Sequence, residues 1–446
     1  MVAVKEINMD KFNYNLCYVG AGPSTMFSVL KLIEEGYSKD ILIIEKGKSL
    51  KARARKEVIE GVFGAGCYSD SKISASVEVG GVIPNLTEYD LNIYEDYLIS
   101  ELNKFKPKEM PSLTWDKTKY FNTDPSSLIW DMHKTCHVGT DNGFIIYSNI
   151  EKYISSRPNI TLLTETEVTE VFNLTNDTFQ VIAQDSKGRK AYTVEKLIIA
   201  TGQKGTLASK IIKENDFNTR SRALQLGVRV EDQMNSQYEK IIKANYDFKF
   251  VSSFNYKNGV KGRVRTFCCN SGNAHTCAEV TSSGFTCFNG HALKTPDPNN
   301  HTVNYGIICE LDGMPEYNSK ENQIEMMKKV NSISTWKEDN LDDKGNPYPK
   351  RKLLNGFEHL RGIYPDAVIN ELTKFVSELN RVINLDKAKY LYPEVKLSGE
   401  IPNLSDSFET TKKNLYMIGD CSYSRGIMKA VTCGVIFAEH ILEETK

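Results

Sequence analysis

The N-terminal segment places short apolar runs on either side of a helical pattern. "NLCYVG" (15–20) is apolar and β-prone, which is typical of a buried parallel strand. From Ser24 onward, apolar residues recur at steps of three and four, as on one face of an amphipathic helix: Met26, Val29, Leu30 and Ile33. "ILIIE" (41–45) follows as a second apolar run that stops at an acid. The pattern therefore predicts a strand, a turn, a helix and a second strand.

Later segments extend this pattern. Residues 160–202 hold several β-like runs separated by "NLTND" and "SKGRK", which predicts a small antiparallel meander returning to a buried strand that ends in "ATG". Residues 413–442 give another apolar strand, ending at Gly419-Asp420, and then a helical pattern. The apolar spacing in 366–383 predicts a helix packed on a domain. The polar stretch 331–357 predicts a long surface loop or lid.

Composition and charge narrow the classes of partner. The chain has 446 residues, 40% of them hydrophobic and 25% charged, with a formal net charge of −1. With this charge balance, no net electrostatic attraction draws the chain to nucleic acid or an acidic membrane. No apolar run approaches the ~18 residues of a membrane span. The ten cysteines show no repeated spacing and no C-x-x-C pair, as is typical of reduced thiols. We therefore expect a soluble cytoplasmic protein with a small-molecule substrate and no membrane or nucleic-acid partner.

The turn "GAGPST" (20–25) carries the first candidate chemistry. Gly20 permits a tight turn, Gly22 lets a pyrophosphate approach the backbone, and the helix N-terminus supplies N–H groups and partial positive charge. Glu45 comes twenty residues after Thr25, the spacing of a carboxylate that accepts hydrogen bonds from ribose hydroxyls. Thr25 stands where such turns usually have a third glycine or alanine. Together these features predict a dinucleotide with an unphosphorylated ribose, either NAD or the adenosine end of FAD.

Segments from both ends and the middle of the chain carry a family resemblance. They are "GAGPST" (20–25), "FGAGCYSDSKI" (63–73), "HVGTD" (137–141), "LGVRVE" (226–231), "RTFCCNSG" (265–272), "FNGHAL" (288–293) and "IGDCSYSRGIMKA" (418–430). In these segments the chain resembles flavoproteins of the broad glutathione-reductase-like FAD-binding class, and most of all the poorly characterised bacterial FAD-dependent dehydrogenases. The resemblance covers most of the chain. Its outer motifs are generic to the class, and its internal motifs are more specific.

The resemblance implies roles for individual positions. The two glycines of the first turn and Ser24 would contact the FAD pyrophosphate, Glu45 the adenosine ribose, and Val168 the adenine edge through its backbone. Asp420 would lie near the ribityl chain, and the helix that begins near Gly426 would point its N–H groups at the pyrimidine side of the flavin. The candidate cofactor-binding residues are Gly20, Gly22, Pro23, Ser24, Thr25, Glu45, Lys46, Arg53, Ser69, Val168, Ala200, Thr201, Gly202, Gly419, Asp420, Gly426, Ile427 and Met428.

In the basic and glycine-rich stretch 51–72, the roles of the two arginines and of Lys72 each have two possible interpretations. Arg53 and Arg55 either bind FAD phosphates or an anionic substrate, or they belong to a solvated basic turn. By resemblance, Asp70 and Lys72 are candidate catalytic residues beside the isoalloxazine. Lys72 either donates to flavin N5 or forms a structural salt bridge with Asp70. The family more often carries glycine at the position of Ser71.

The middle of the chain offers candidate substrate contacts rather than a metal site. Residues 265–291 crowd cysteines and histidines together, but their spacing matches no zinc motif, so we expect no metal. Cys67 has no nearby partner for a disulfide relay. The segment is expected to form β-hairpins on the substrate face of the flavin. Its candidate substrate-binding residues are Arg265, His275, Asn289 and His291.

After Gly202, the sequence predicts no second unit of strand, glycine turn and helix. The two other glycine turns, "GTDNG" (139–143) and "ATGQKG" (200–205), are not followed by an amphipathic helix and a strand that ends in an acid. We therefore expect no dedicated NAD(P)H domain. The reductant would be NADH or NADPH docking transiently, an electron-donor protein, or the substrate itself.

The predicted fold class is α/β. A Rossmann-type FAD-binding domain, with a parallel sheet and an antiparallel meander, spans 1–205 and 387–446, and an α+β substrate domain is inserted over 206–386. The predicted activity is an FAD-dependent oxidoreductase that transfers hydride between a small molecule and flavin N5. Two alternatives stay open. One is a flavin enzyme without net redox turnover, such as a lyase, an isomerase or a nucleobase-modifying enzyme. The other is a binding or assembly module.

Overall fold

The structure is a computed structural model that describes residues 8–54, 57–202, 206–221, 224–256, 259, 261–280, 286–295, 297–311, 320–332, 357–396 and 400–446. The helices are α1 Pro23–Glu34, α2 Gly64–Ser69, α3 Glu88–Phe105, α4 Thr140–Ser155, α5 Thr206–Glu214, α6 Ser236–Ala244, α7 Lys320–Ser332, α8 Asp366–Asn380 and α9 Ile427–Glu444. The strands are β1 Asn8–Val19, β2 Ile41–Ile44, β3 Lys72–Ala75, β4 Ile129–Trp130, β5 Lys134–His137, β6 Ile160–Leu163, β7 Glu167–Asn173, β8 Phe179–Asp185, β9 Gly188–Ile199, β10 Thr219–Ser221, β11 Leu224–Gln233, β12 Phe250–Asn255, β13 Lys261–Ser271, β14 Asn273–Val280, β15 Thr286–Leu293, β16 Thr302–Leu311, β17 Lys389–Lys396, β18 Glu400–Pro402 and β19 Leu415–Met417.

The first sheet is parallel at its centre. Strands β6, β2, β1 and β9 lie side by side in that order, and β19 pairs in parallel with the end of β9. The long strand β9 also pairs with β8 through its first half, and β8 pairs with β7, so a small antiparallel meander grows from the same strand. This is the predicted Rossmann-type arrangement with a meander. The sequence run that starts at 160 divides into two strands, of which β6 joins the parallel part.

Strand alternation gives the first sheet two apolar faces. On β1, Leu16 and Tyr18 face one core together with side chains of α1, α4 and α9, while Cys17 and Val19 face a second core that includes α5. Helices α1 and α9 pack so closely that a Cβ built on Gly434 would lie 2.0 Å from the Ser24 carbonyl oxygen. The N-terminal and C-terminal segments of the chain therefore form one folded unit.

The second sheet is antiparallel, in the order β17-β11-β16-β13-β12-β4. Its apolar face, from residues such as Val228, Tyr305 and Ile307, packs against α6, α7 and α8 in a core of its own. Its opposite face is polar and charged. The fold class predicted from the sequence, a Rossmann-type α/β unit with an inserted α+β unit, is confirmed. Helix α8 is also where the apolar spacing of 366–383 predicts a helix.

The sheet pairings differ from the predicted boundaries of the inserted unit. Strand β17 pairs with β11 in the second sheet, so the chain does not rejoin the first sheet until β19, well after residue 387. Strand β4, from the N-terminal part, pairs with β12 in the same second sheet. Strand pairing over such sequence separations leaves no local signal, which is why the apolar pattern alone misplaced these two strands.

Two glycine turns predicted to lack a helix do precede one. Helix α4 follows Gly139, and α5 begins at Thr206, after the "ATGQKG" segment. The strand before α4 is β5, however, which pairs antiparallel with β3 outside the first sheet, and β10 after α5 pairs antiparallel with β18. In the part of the chain that the structure describes, neither turn therefore opens a second parallel unit of strand, helix and strand.

The predicted lid, 331–357, falls almost entirely outside the described residues. Among the helices that the structure describes, none combines the length and apolar character needed to span a bilayer.

Candidate functional site

The parallel strands of the first sheet end at a common edge. Because β1, β2, β9 and β19 run the same way, the segments that follow them lie together there, and ligands bind at this edge in sheets of this kind. These segments begin at Gly20, Glu45, Ala200 and Gly419. Most of the residues predicted to bind a cofactor belong to them.

The first turn has the geometry that a pyrophosphate-binding turn requires. Gly20 has a φ of 104°, and a Cβ there would lie 2.4 Å from the Ala200 carbonyl oxygen, so only glycine fits. Gly22 has an ordinary φ of −71°, and a Cβ there would meet no atom within 4 Å. Thr25, at the position of the usual third glycine, donates its hydroxyl to the Gly20 carbonyl at 2.7 Å and closes the turn.

The starts of α1 and α9 both lie against α2 at this edge, although they come from opposite ends of the chain. A Cβ on Gly419 would lie 2.6 Å from Ser24 Oγ at the start of α1. Helix α2 bridges the two starts, because Cβ atoms on Gly64 and Gly66 would lie 3.6 Å from Pro23 Cδ and 3.1 Å from Ile427 Cγ1. The first N–H groups of α1 and α9, which have no partner within their helices, thus lie in one region.

Glu45 is buried, and backbone amides hold its carboxylate. Oε2 accepts from Ala21 N at 2.8 Å, and Oε1 accepts from Gly47 N at 2.8 Å and Gly61 N at 3.0 Å. A carboxylate offers about four acceptor positions, so about one is left for a ribose hydroxyl. Glu45 therefore also ties the first turn to the 46–61 loop, a role that sequence spacing does not reveal.

Lys46 and Val168 lie beside this acid. The Thr166 amide donates to the Glu45 carbonyl at 3.0 Å, which brings the start of β7 next to the turn. The Val168 side chain is buried in the core. The exposed Lys46 forms ion pairs with Glu167 at 3.2 Å and Glu60 at 3.8 Å. Its charge is therefore already matched by protein carboxylates.

The segments after β9 and β19 present polar atoms and open glycines. The Thr201 hydroxyl is buried and has no hydrogen-bond partner among the described residues. Gly202, with φ 68°, and Gly426, with φ 81°, would each accept a Cβ without contact within 4 Å. Asp420 Oδ1 accepts from Ser424 Oγ at 3.3 Å. The side chains of Ile427 and Met428 are buried, so only their backbone N–H groups are placed to reach a ligand.

Arg53 has no donor left for a phosphate. Its Nε and both terminal nitrogens donate to the carbonyls of Glu57, Val58, Val62 and Gly64 at 2.8–3.1 Å, which engages all five N–H groups. The buried guanidinium also stacks over the Tyr68 ring at 3.9 Å. Both predicted roles, phosphate ligand and solvated turn, are therefore wrong, because Arg53 is a buried brace for the 57–64 loop. Arg55 lies outside the described residues.

Lys72 is held by an ionic network between the two units. Its ammonium lies 3.1 Å from Asp70 Oδ2 and 3.5 Å from Asp247 Oδ1, and it donates to the Cys269 carbonyl at 2.6 Å. Three partners engage the three N–H donors of an ammonium. This geometry favours the structural salt bridge over donation to a flavin. Ser71 has a φ of 50°, which explains why glycine suits its position in the resembling family.

Ser69 connects α2 to the β14–β15 hairpin. Its hydroxyl donates to the Gly66 carbonyl at 3.2 Å, while its own carbonyl accepts from the Thr140 hydroxyl and lies 3.1 Å from His291 Nδ1. His291 thus anchors the hairpin to the first unit. His275 is exposed, stands directly opposite His291 in the β14–β15 register, and lies 2.9 Å from Asn273 Oδ1.

Of the remaining two substrate candidates, Arg265 lies on the polar face of the second sheet, and Asn289, on β15, contacts that face through Arg229. Asn289 Oδ1 accepts from the fully buried Arg229 at 3.4 Å, so it helps to hold that guanidinium. Arg265 lies 4.0 Å from Glu310 and 3.4 Å from Gln225 Oε1. Of the four candidates, Arg265 therefore places a permanent positive charge on this face.

Sequence reasoning missed several side chains of the same region: His137, Tyr246, Asp247, Lys249, Lys396 and Arg425. The His137 ring stacks on Tyr246 with centroids 4.2 Å apart, and burial lowers its pKa to about 3. Lys249 donates to Asp247 at 2.8 Å. Burial raises the pKa of Asp247, but the charges of Lys249 and Lys72 outweigh it and hold the pKa well below its usual range. Alternation in "YDFKF" (246–250) and "YPEVK" (392–396) places polar residues on one strand face and was the available signal.

The described cysteines and histidines do not assemble a metal site. All ten cysteines are free, and within the described ranges no three His, Cys, Asp or Glu side chains gather as a metal ion would require.

No family model matches the sequence, and no curated protein matches it. Solved structures align along most of the chain. A mutant of quinol fumarate reductase FrdA from E. coli aligns with a TM-score of 0.44 and 13% identity, over 98% of this chain and 71% of that chain. A p-nitrophenol 4-monooxygenase from Pseudomonas putida gives 0.42 and 9%, over 97% and 79%. A flavoprotein/dehydrogenase from Cytophaga hutchinsonii gives 0.40 and 11%, over 96% and 78%. At these scores the alignments carry no conclusion about activity.

Proposed function

We propose that the chain binds FAD at the carboxyl edge of the first sheet and is a flavin-dependent oxidoreductase. The observation that carries this proposal is that two glycine-flanked helix starts, α1 and α9, from opposite ends of the chain, both lie against α2 at this edge. A dinucleotide with two separate negative or electron-rich regions suits two such N-termini. The open space at Gly22 and the unsatisfied Thr201 hydroxyl fit a ligand along this edge.

Different groups of the protein would bind different parts of FAD. The N–H groups of α1 would bind the pyrophosphate, and Glu45 would use its remaining acceptor position for a ribose hydroxyl. The start of α9, from Gly426, would stabilise negative charge on the flavin ring. FAD, when bound, supplies the hydride-accepting and hydride-donating atom N5, while the protein supplies orientation and electrostatics.

The substrate would bind between the ring and the polar face of the second sheet. Arg265 supplies positive charge on that face and lies close to Glu310 and Gln225. The reaction proposed is hydride transfer between this small molecule and the flavin. We expect no dedicated NAD(P)H domain. NADH or NADPH would therefore dock transiently, or an electron-donor protein would supply the electrons instead.

Gly22→Val tests the cofactor site cleanly. Because a Cβ at Gly22 meets no protein atom within 4 Å, the variant should fold with unchanged thermal stability in the absence of cofactor. The new side chain would occupy the position of the pyrophosphate, so FAD retention should fall by about tenfold or more. The measurement is flavin absorbance per mole of purified protein, after reconstitution with FAD and removal of the excess. Full retention by a folded Gly22→Val protein would refute the site.

The type of chemistry needs a second measurement. The reconstituted protein is mixed anaerobically with NADH, NADPH and a metabolite panel while flavin bleaching is followed. Bleaching by any of these supports an oxidoreductase. A protein that holds FAD tightly but resists every reductant would favour a flavin enzyme without net redox turnover.

A further inference from the structure

The polar face of the second sheet is formed by alternate residues along each of its strands. Its side chains are Gln225, Arg229, Arg263, Arg265, Phe267, Asn304, Glu310, Glu394 and Lys396. Cross-strand register places Lys396 opposite Gln225, Gln225 opposite Glu310, and Glu310 opposite Arg263, so these four lie in one row. Directly opposite residues share a face and lie close together.

Two of the arginines on this face have their own carboxylates. Arg229, which is fully buried, pairs with Glu394 at 3.0 Å. The partly exposed Arg263 pairs with Glu310 at 3.2 Å. Within each pair the carboxylate offsets the positive charge of its arginine.

Arg265 and Lys396 are the cations left over. Arg265 lies 4.0 Å from Glu310, which is already closer to Arg263, and its Nε is buried without a hydrogen-bond partner among the described residues. Lys396 has no carboxylate within ion-pair distance in the part of the chain that the structure describes, and its ammonium lies 4.0 Å over the Phe267 ring. The Arg265 guanidinium lies 5.6 Å from the same ring.

A third cation approaches from the first unit. Arg425 directly precedes Gly426 at the start of α9, and its backbone N–H donates to the Gly80 carbonyl at 2.5 Å. Burial, followed by repulsion from Arg265 and Arg425, lowers the pKa of Lys396 to about 7. Lys396 is therefore repelled by one cation from each unit, beside a helix N-terminus that is itself partly positive.

We propose that Arg265 and Lys396 form the binding site for an anionic group, a carboxylate or a phosphate, of the substrate, with Arg425 adding positive charge from the first unit. A bound anion would relieve the repulsion, and arginine side chains bind planar or tetrahedral oxyanions with two parallel hydrogen bonds. The identification of this anion as part of the substrate rests on the proposed flavin function. The anion site itself stands on the side chains alone.

The experiment measures anion binding to the full-length protein reconstituted with FAD. Oxalate and inorganic phosphate are titrated by calorimetry near pH 6.5, where Lys396 is largely protonated, with choline chloride holding the ionic strength constant. Oxalate represents a carboxylate and phosphate a phosphoryl group, so their relative affinities identify the group. The variants are Arg265→Gln and Lys396→Gln. The matched control is Arg381→Gln, which removes an exposed charge at the end of α8, on the opposite side of the second sheet.

Saturable binding of either anion that falls about tenfold or more in both variants, and is retained in the control, is the expected result. Arg265→Lys and Lys396→Arg keep the charge and should recover part of the affinity, which separates lost binding from misfolding. Absent saturable binding, or equal binding by all variants, would overturn the site. If the protein binds anions but no FAD, the proposed function fails while the anion site stands; the reverse result removes only the anion site.

Discussion

For charged side chains near the junction of the two units, packing decides more than residue type whether the charge already has a partner. Arg53 and Lys72 look like free cations in the sequence, yet carbonyl and carboxylate oxygens engage every N–H donor that each of them has. Lys396, by contrast, lies in β17 and is a cation with no carboxylate within ion-pair distance among the described residues. Residue type predicts that a charge is present, but only the packing decides whether that charge is already matched.

The pKa of His137 predicts a pH-dependent stability. Its folded pKa of about 3 is below the usual value of about 6.5, so between these values the unfolded chain binds a proton that the folded chain excludes. The stability is complete above pH ~6.5 and is lost as pH falls toward 3, by about 2 kcal/mol at pH 5. His137→Phe keeps a ring against Tyr246 and removes this titration. The difference in unfolding free energy between pH 8 and pH 5 should therefore shrink by about 2 kcal/mol.

Urea titrations at the two pH values measure this difference. The matched change His359→Phe, at an exposed histidine, should leave it as in the wild type. Equal pH dependence of His137→Phe and the wild type would show that the ring is protonated in the folded protein.

Helices and strands were predictable where the apolar residues of a segment follow a single period, that of a helix or that of a strand. The segments that form α1, β2 and α9 carry clear strand or helix periods, and the structure has them within a few residues of the predicted bounds. Strand β1 ends where predicted but begins seven residues earlier, at Asn8. The run from 160 was read as part of the meander because "TET" carries no turn signal, yet Glu165 adopts a φ of 51° and separates β6 from β7. The dinucleotide turn was predictable because its residues are contiguous. The cluster of Arg265, Lys396 and Arg425 was not, since it joins three distant segments.

The packing of α1 on α9 gives a prediction about an element. In an ordinary helix, Gly434→Ala would stabilise by about 1 kcal/mol through backbone entropy. Here the added methyl would lie 2.0 Å from the Ser24 carbonyl oxygen, so the helices must separate. Overpacking of this kind costs about 1–3 kcal/mol, and it outweighs the gain. Gly434→Ala should therefore lower the unfolding free energy and weaken FAD retention together.

Gly66→Ala is the matched control for that change in stability. Its Cβ would meet only the Ile427 side chain, at 3.1 Å, which can shift. Denaturant unfolding of both variants should show a clearly larger loss for Gly434→Ala. A Gly434→Ala protein more stable than the wild type would mean that α1 and α9 are farther apart than the structure places them.

At the scale of the whole molecule, charged groups at the junction couple the two units. Asp247, from the second unit, accepts from Ser74 Oγ of β3 at 2.7 Å and from the Cys269 amide at 3.0 Å, besides its ion pairs with Lys72 and Lys249. Both members of the Lys72–Asp247 pair are buried, so solvent screens them little. The relative position of the units, and with it the shape of the substrate region, therefore depends on this network.

A double-mutant cycle on Lys72→Met and Asp247→Asn measures that coupling. Each single variant leaves a buried charge without this partner and should lose about 3–5 kcal/mol of unfolding free energy. The double variant removes both charges, so its loss should be smaller than the sum by about 1–3 kcal/mol. The same cycle on the exposed pair Lys374 and Glu371 of α8 should give a coupling below about 1 kcal/mol. Strict additivity at Lys72 and Asp247 would mean that apolar packing alone positions the units, and that Lys72 keeps a donor available for the flavin.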